Sequence, residues 1–181
     1  MRTVLRLLFV VLLMLVSAVL ARAQVLSGAD VMSSTVFQQH QSSFSGLAGR
    51  VRLHSARIVE GFELLPYVEY WRNSATVEPF GIWTARKDAT LGADVRYMFQ
   101  RQGWRPYVGG GFGLHFLSTE VDAPSLGLRH AKDSVVKGGL SALAGVSFPL
   151  GQHLGNFIEL KYHHLPGNSQ LKVNMGIAWG L

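Results

Sequence analysis

The feature that most constrains this chain is a strict two-residue alternation near its C-terminus. The stretch FIELKYHHLPGNSQLKVNMGIAWGL, residues 157–181, alternates, pauses at PGNS and alternates again. Successive β-strand side chains point to opposite faces, so the pattern reads as two strands joined by a turn. One face of the first strand holds Ile158, Leu160, Tyr162 and His164; the other holds Phe157, Glu159, Lys161 and His163. The second strand sets Leu171, Val173, Met175, Ile177 and Trp179 against Gln170, Lys172, Asn174, Gly176 and Ala178. Each ribbon thus has one side suited to an apolar medium and one side that carries polar groups.

The same period runs through the rest of the chain, and helical periodicity is weak. Strands are expected at 44–54, 61–72, 88–100, 105–117, 136–148, 156–164 and 170–179. Gly, Pro, Asn, Asp and Ser cluster between several of them. In 88–100, Leu91, Ala93, Val95, Tyr97 and Phe99 oppose Thr90, Gly92, Asp94, Arg96, Met98 and Gln100. Glu69 alternates with Val68 and Tyr70, and Arg50 and Arg52 with Val51 and Leu53.

Two architectures fit such ribbons. A water-soluble barrel or sandwich puts the apolar face inside, whereas a membrane barrel puts it outside, toward lipid. Strand length favours the second, since about 9–11 tilted residues cross a bilayer. Aromatic placement does too: Tyr97, Phe99, Trp104, Tyr107, Phe148, Phe157 and Trp179 are expected at one rim, and Tyr70, Trp71, Phe116 and Tyr162 at the other. Connections alternate as well. Those at 54–61, 100–105 and 149–155 are short, while 73–87 and 118–135 read as long loops, matching short periplasmic turns and longer external loops.

With the long loops outside, an upward strand must precede 44–54. It has to lie in 25–40, the weakest strand signal of the chain, and it brings the count to an even eight and closes the edge. The fold expected is therefore all-β: an eight-stranded antiparallel up-and-down transmembrane β-barrel. Its lumen is about wide enough for side chains to fill. Arg50, Arg52, Glu69, Asp94, Arg96, Glu159, Lys161 and Lys172 are expected there as a structural network of paired charges that plugs the barrel.

The first residues carry a different signal. Arg2 and Arg6 precede the apolar run 7–16, and Ala21-Arg22-Ala23 precedes Gln24. This is the pattern of a cleavable secretory signal peptide, so 1–23 is expected to be removed between Ala23 and Gln24, leaving 24–181 as one barrel domain. The 181 residues contain no Cys, so no disulfide framework or thiolate metal site is available. The formal charge of +6 comes from scattered Lys and Arg, without a basic run, and export also argues against a nucleic-acid partner.

The segments RPYVGGGFGLHF, GGLSALAGVSFPL, FIELKYHH, LKVNMGIAWG and TLGADVRYMF resemble the outer-membrane β-barrel domain family of small bacterial barrels. The resemblance spans roughly 44–180. It implies an eight-stranded, porin-like barrel in the bacterial outer membrane. Such a protein sits as a monomer among outer-membrane lipid and lipopolysaccharide and is placed there by the barrel-insertion machinery. Members usually end on an aromatic residue; here Trp179 is followed by Gly180 and Leu181.

No residue pattern points to a cofactor, a metal or a catalytic group. Gly109–Gly113 lacks the context of a phosphate loop and is expected to make steric room for a bulky neighbour. His163 and His164 point to opposite faces, and His115 and His130 lack acidic residues at ligand spacing. Lipid A deacylases of this architecture carry His-x-Ser-Asn, whereas HHLPGNSQ offers only His164 and Ser169, with Pro166 where Ser is expected. The long loops hold Glu78, Arg86, Lys87, Asp88, Glu120, Asp122, Arg129, Lys132 and Asp133. Functional contacts concentrate on loops held by a rigid scaffold. The expected role is accordingly structural or adhesion-like, through an extracellular ligand of the loops; the alternatives are a narrow porin-like channel and a lipid A-modifying hydrolase.

Overall fold

The computed structural model describes residues 26–38, 43–54, 60–77, 81–99, 103–124 and 128–180. The segment 1–23, the junction at Ala23 and Gln24, and Gln100, Glu78 and Leu181 lie outside the described residues. Eight strands follow in order: β1 (Leu26–Gln38), β2 (Phe44–Leu53), β3 (Phe62–Val77), β4 (Ile82–Met98), β5 (Arg105–Ala123), β6 (Leu128–Pro149), β7 (Leu154–His164) and β8 (Gln170–Gly180). Each pairs antiparallel with its neighbours in sequence, and β1 pairs with β8 to close the barrel. The upward strand expected within 25–40 is β1. Its register runs from Gly28 opposite Gly180 to Gln38 opposite Gln170. Closure leaves the barrel wall without an unpaired edge.

The alternation resolves into an inverted barrel. Along β7, buried and exposed positions alternate without a break. Val31, Leu47, Val68, Leu140, Leu160, Met175 and Ile177 point outward and are largely uncovered. Asp30, Arg50, Glu69, Asp94, Arg96, Glu159, Lys161 and Lys172 point inward and are buried. A water-soluble barrel would reverse the two sets.

Three of the aromatics expected in the rim girdles do not face outward. Tyr107, Phe157 and Trp71 are 1%, 2% and 1% exposed and point into the lumen. The cause is parity: Phe157 stands two residues before Glu159, and Trp71 two after Glu69, so each shares the inward face. The outward aromatics include Phe99, Trp104, Phe148 and Trp179 at the end where β1 begins and β8 ends, Phe37, Tyr70, Phe116 and Tyr162 toward the other, and Phe112 between them. Tyr97 lies between Phe62 and Phe99, tilted against the first and edge-on to the second, with ring centroids 5.0 Å from each.

The long loops expected at 73–87 and 118–135 are mostly strand. β3 continues to Val77 and β4 starts at Ile82, still paired at Val77–Ile82. β5 and β6 stay paired to Ala123–Leu128, and β4 pairs with β5 up to Trp83–Asp122. About 9–11 residues cross a bilayer, so β5 and β6, at 19 and 22 residues, run on past the apolar band. Strands β3 to β6 therefore rise beyond the rim as one four-stranded sheet. Below it, β2 pairs with β3 only as far as Gly46–Trp71, and β6 with β7 only as far as Leu140–His164. Among the described residues no further strand pairs with the outer sides of β3 and β6 in the projecting sheet.

The glycine-rich run does what bulk requires. A Cβ on Gly113 would lie 2.8 Å from Tyr67 Oη, and one on Gly92 only 2.5 Å from Tyr67 Cζ and Oη. The two glycines make the space in which the Tyr67 ring lies across the lumen. Gly92→Val is expected to destabilise the barrel by ~1–3 kcal/mol through overpacking. At the outward Gly49, a Cβ would meet only Asp30 O, at 3.9 Å, so Gly49→Ala should stay within about 0.5 kcal/mol of the parent. Urea midpoints of the two variants folded into lipid vesicles check this; equal midpoints would mean the lumen has room to spare.

Candidate functional site

The lumen is built from side chains that every strand contributes by parity. Near the end where β1 begins and β8 ends, Asp30 binds Arg50 Nε at 2.6 Å and Arg52 Nε at 3.0 Å. Arg52 also donates to the Trp179 carbonyl at 2.6 Å, tying β2 to the last strand. Arg50 reaches across to Glu159 at 2.7 Å and lies over the Phe157 ring. Tyr107 and Asn174 donate to the same Glu159 carboxylate, at 3.1 and 2.9 Å. Arg96 pairs with Glu63 at 2.6 Å and covers the Tyr107 ring.

Higher up, Asp94 accepts from Lys161 and from Ser141 Oγ. The Lys161 ammonium lies 3.7 Å from the centroid of the Tyr67 ring. Lys172 donates to Glu69 at 2.7 Å. Above them His115 Nδ1 is 2.8 Å from Asp88 Oδ2, and His163 Nδ1 is 3.1 Å from His115 Nε2. Thr90 donates to Asp88 at 3.2 Å, and Gln170 donates to it at 3.4 Å. The His115 tautomer that carries its proton on Nδ1, toward Asp88, would leave Nε2 as an acceptor for His163. Buried charges are tolerable only when paired and hydrogen-bonded, and these form chains of such pairs linking strands far apart in sequence.

The structure places Arg50, Arg52, Glu69, Asp94, Arg96, Glu159, Lys161 and Lys172 in this lumen; Arg52, Asp30, Arg50 and Glu159 form one linked chain, and Arg96–Glu63, Lys161–Asp94 and Lys172–Glu69 are separate pairs. Sequence reasoning missed Asp30, Glu63, Asp88, His115 and His163. Asp88 opens the expected strand 88–100 and is also grouped with the loop charges, so its inward parity with Thr90 and Asp94 goes unused. The sequence already sets His163 on the face of Glu159 and Lys161 without adding it to the charge network, and His115 shares parity with Gly113, so parity alone could have brought both into it. Among the described residues no cluster of three His, Asp or Glu side chains has the arrangement of a metal site.

The other chemical candidate lies at the outer rim. Ser169 Oγ is 3.4 Å from His164 Nδ1, and it also donates to the Leu165 carbonyl at 3.5 Å. A Ser nucleophile needs a base that a third group orients. The neighbour of His164 across β6 is Leu140, and no carboxylate of the described residues is hydrogen-bonded to this pair.

Above the outer aromatics the outward face changes character. Lys87 donates to Glu120 at 2.8 and 3.0 Å, and Lys132 Nζ is 3.7 Å from the same carboxylate. The hydrogen bond from Lys87 holds the Glu120 carboxyl below its ordinary range. Arg72 lies over the Trp83 ring, 6.0 Å from its centroid.

A closed, eight-stranded, antiparallel barrel with apolar side chains outside and paired charges inside is the architecture of an outer-membrane barrel. The chain has that fold. Among solved structures, a major outer membrane protein from Thermus thermophilus matches with a TM-score of 0.65 and 12% identity, over 86% of this chain and 99% of that one. Neisserial surface protein A matches with a TM-score of 0.58 and 17% identity, over 85% and 95%. Ail, the attachment invasion locus protein of Yersinia pestis, solved with the heparin analogue sucrose octasulfate, matches with a TM-score of 0.58 and 14% identity, over 86% and 99%. No protein-family profile and no curated protein sequence matches the chain.

Proposed function

We propose that residues 1–23 export the chain and are cleaved before Gln24, and that 24–181 is a monomeric integral protein of the bacterial outer membrane. Its role is surface interaction through the projecting sheet of β3 to β6. One observation carries this reading: four strands stay hydrogen-bonded beyond the rim, where lipid no longer demands it, and among the described residues no strand pairs there with the outer sides of β3 and β6. Unpaired strand edges recruit extended segments of other chains by backbone hydrogen bonding. The Ail structure with a sulfated ligand supports an interaction role by analogy of fold. The charged pairs that fill the lumen argue against a channel, and among the described residues no carboxylate is hydrogen-bonded to His164 or Ser169, which argues against a hydrolase.

The expressed protein should fractionate with outer membranes and migrate differently on gels before and after boiling. In planar bilayers it should give no conductance steps, because the lumen is closed by side chains. Shortening both hairpins, by deleting 74–85 and 120–132, should leave the heat-dependent shift intact and abolish adherence of expressing cells to host surfaces or to one another. Adherence that persists in the trimmed protein, or steady conductance, would overturn the interaction reading. A soluble chain with no mobility shift would overturn the membrane placement itself.

A further inference from the structure

The outer mouth of the lumen holds polar groups that the described residues leave unsatisfied. A cavity of about 190 Å³ opens there, between the end of β1, the foot of the projecting sheet and the β7–β8 turn. Gln38 and Trp71 line it and are 8% and 1% exposed. Among the described residues, Gln38 Nε2, Gln38 Oε1 and Trp71 Nε1 have no hydrogen-bond partner. A buried polar group without a partner costs stability, and a leucine in place of Gln38 would avoid that cost. Orphaned groups of this kind require an explanation, and a ligand is one.

The charges at the mouth differ from those below it. Deeper in the lumen Arg50, Arg52, Arg96, Lys161 and Lys172 each meet a carboxylate. Arg86 of β4, Lys87 of β4 and Lys137 of β6 line the cavity, and no carboxylate of the described residues does. Lys87 is taken up by Glu120. Lys137 Nζ donates to the Pro166 carbonyl at 2.8 Å, which orients the ammonium without neutralising it. The nearest acids are engaged elsewhere. Asp88, paired in register with Trp71, is held by Thr90, His115 and Gln170. Asp133, in the row of Arg86 and Thr119, accepts from the Ser134 amide. Arg86 and Lys137 thus face the cavity as cations that no acid on its wall offsets.

We propose that the outer mouth of the lumen binds a small hydroxy-dicarboxylate, with one carboxylate on Arg86 and the other on Lys137. Guanidinium and ammonium groups hold carboxylate oxygens by charge-assisted hydrogen bonds. The Trp71 indole N–H is a further donor for the same oxygens. Gln38 Oε1 can only accept, so it calls for a donor on the ligand. A hydroxyl supplies that donor, whereas an ammonium would be repelled by Arg86 and Lys137. The cavity is smaller than those that take drug-sized molecules, which limits the ligand to a few carbons. The site is a dead end rather than a passage, because Asp88, His115, His163 and Gln170 close the lumen beneath it. The inference goes beyond the interaction role proposed above; the membrane placement decides only that the cavity opens to the cell exterior.

The test is isothermal titration calorimetry of the full chain folded in detergent micelles. The probes are malate, which has two carboxylates and a hydroxyl, succinate, which lacks only the hydroxyl, and inorganic phosphate. The parent should bind malate at least tenfold more tightly than succinate or phosphate. Gln38→Leu should abolish the preference for malate over succinate, because it removes the acceptor for the hydroxyl. Without ligand, the same variant should have a urea midpoint at least as high as the parent's, because two orphaned groups are gone. Arg86→Gln and Lys137→Gln should each weaken malate and succinate at least tenfold. Arg86 is exposed and Lys137 partly so, so both variants should keep the heat-dependent gel shift of a folded barrel. Malate bound no better than succinate, a preference that survives Gln38→Leu, or parental affinity in both cation variants would overturn the proposal. A lower midpoint for Gln38→Leu would also overturn it, since the fold rather than a ligand would then be holding Gln38. The gel shift separates this failure from that of the membrane reading. A shifted barrel that ignores malate loses only this site, whereas a soluble chain without the shift that binds malate keeps the site and loses the membrane placement.

Discussion

Glu69→Leu is expected to destabilise the barrel by ~3–5 kcal/mol, because it strands a buried ammonium. Lys172 is fully buried, and its Nζ donates to Glu69 Oε1 at 2.7 Å; the Glu69 side chain is only 4% exposed. Removing one partner leaves the other charged and desolvated, which costs more than the pair is worth. The double variant Glu69→Leu, Lys172→Met should recover most of that loss, since replacing both members with apolar groups of similar volume is often close to neutral. Equilibrium urea unfolding in lipid vesicles measures both variants, with the gel mobility shift as the readout of folded barrel. A single-variant cost below about 1 kcal/mol would mean that water reaches Lys172. The lumen would then be wet, and the channel reading would gain what the plugged reading loses.

The fold was legible where one face meets lipid and the other meets charge. In β7 the contrast is complete, with Ile158, Leu160 and Tyr162 set against Glu159 and Lys161. β1 lacks that contrast. Its inward set mixes Asp30, Met32, Ser34 and Val36, and its outward set mixes Val31, Ser33, Thr35 and Phe37, so neither face declares its medium. Its place is settled by pairing with β2 and β8 on both sides, which no single segment encodes. The projecting sheet was misread for a related reason. Above Tyr70 and Phe116 there is no lipid to select apolar residues, so the alternation fades while the backbone pairing continues.

The lumen was legible by parity and illegible by register. Parity alone brings Glu159, Lys161 and His163 to one face and Asp88, Thr90 and Asp94 to another. Which carboxylate meets which cation depends on strand stagger around the barrel, as where β2 supplies Arg50 to Glu159 of β7. Aromatic residues at the rims misled because distance along a strand sets height while parity sets direction. Phe157 is near a rim in height, yet its parity sends it inward under Arg50.

Met175→Arg is expected to cost ~2–4 kcal/mol if its side chain faces the middle of the bilayer. Met175 is central in β8, 58% uncovered, and flanked by Ser33 of β1 and Ile158 of β7. Arginine at the neighbouring inward position does not make a clean contrast. Asn174 is 3% exposed and donates to Glu159 Oε1 at 2.9 Å, so Asn174→Arg overfills a packed lumen, itself worth ~1–3 kcal/mol. Leucine separates the two faces better. Met175→Leu conserves volume on an apolar face and should cost less than about 1.5 kcal/mol. Asn174→Leu deletes a donor to a buried carboxylate and should cost ~1.5–3 kcal/mol, the range for hydrogen bonds to charged groups. Urea midpoints in vesicles of matched acyl length give all four values. If Met175→Arg is tolerated while Asn174→Leu is harmless, the apolar face does not meet lipid, and the charges inside are solvated. The barrel would then have to be placed in water rather than in a membrane.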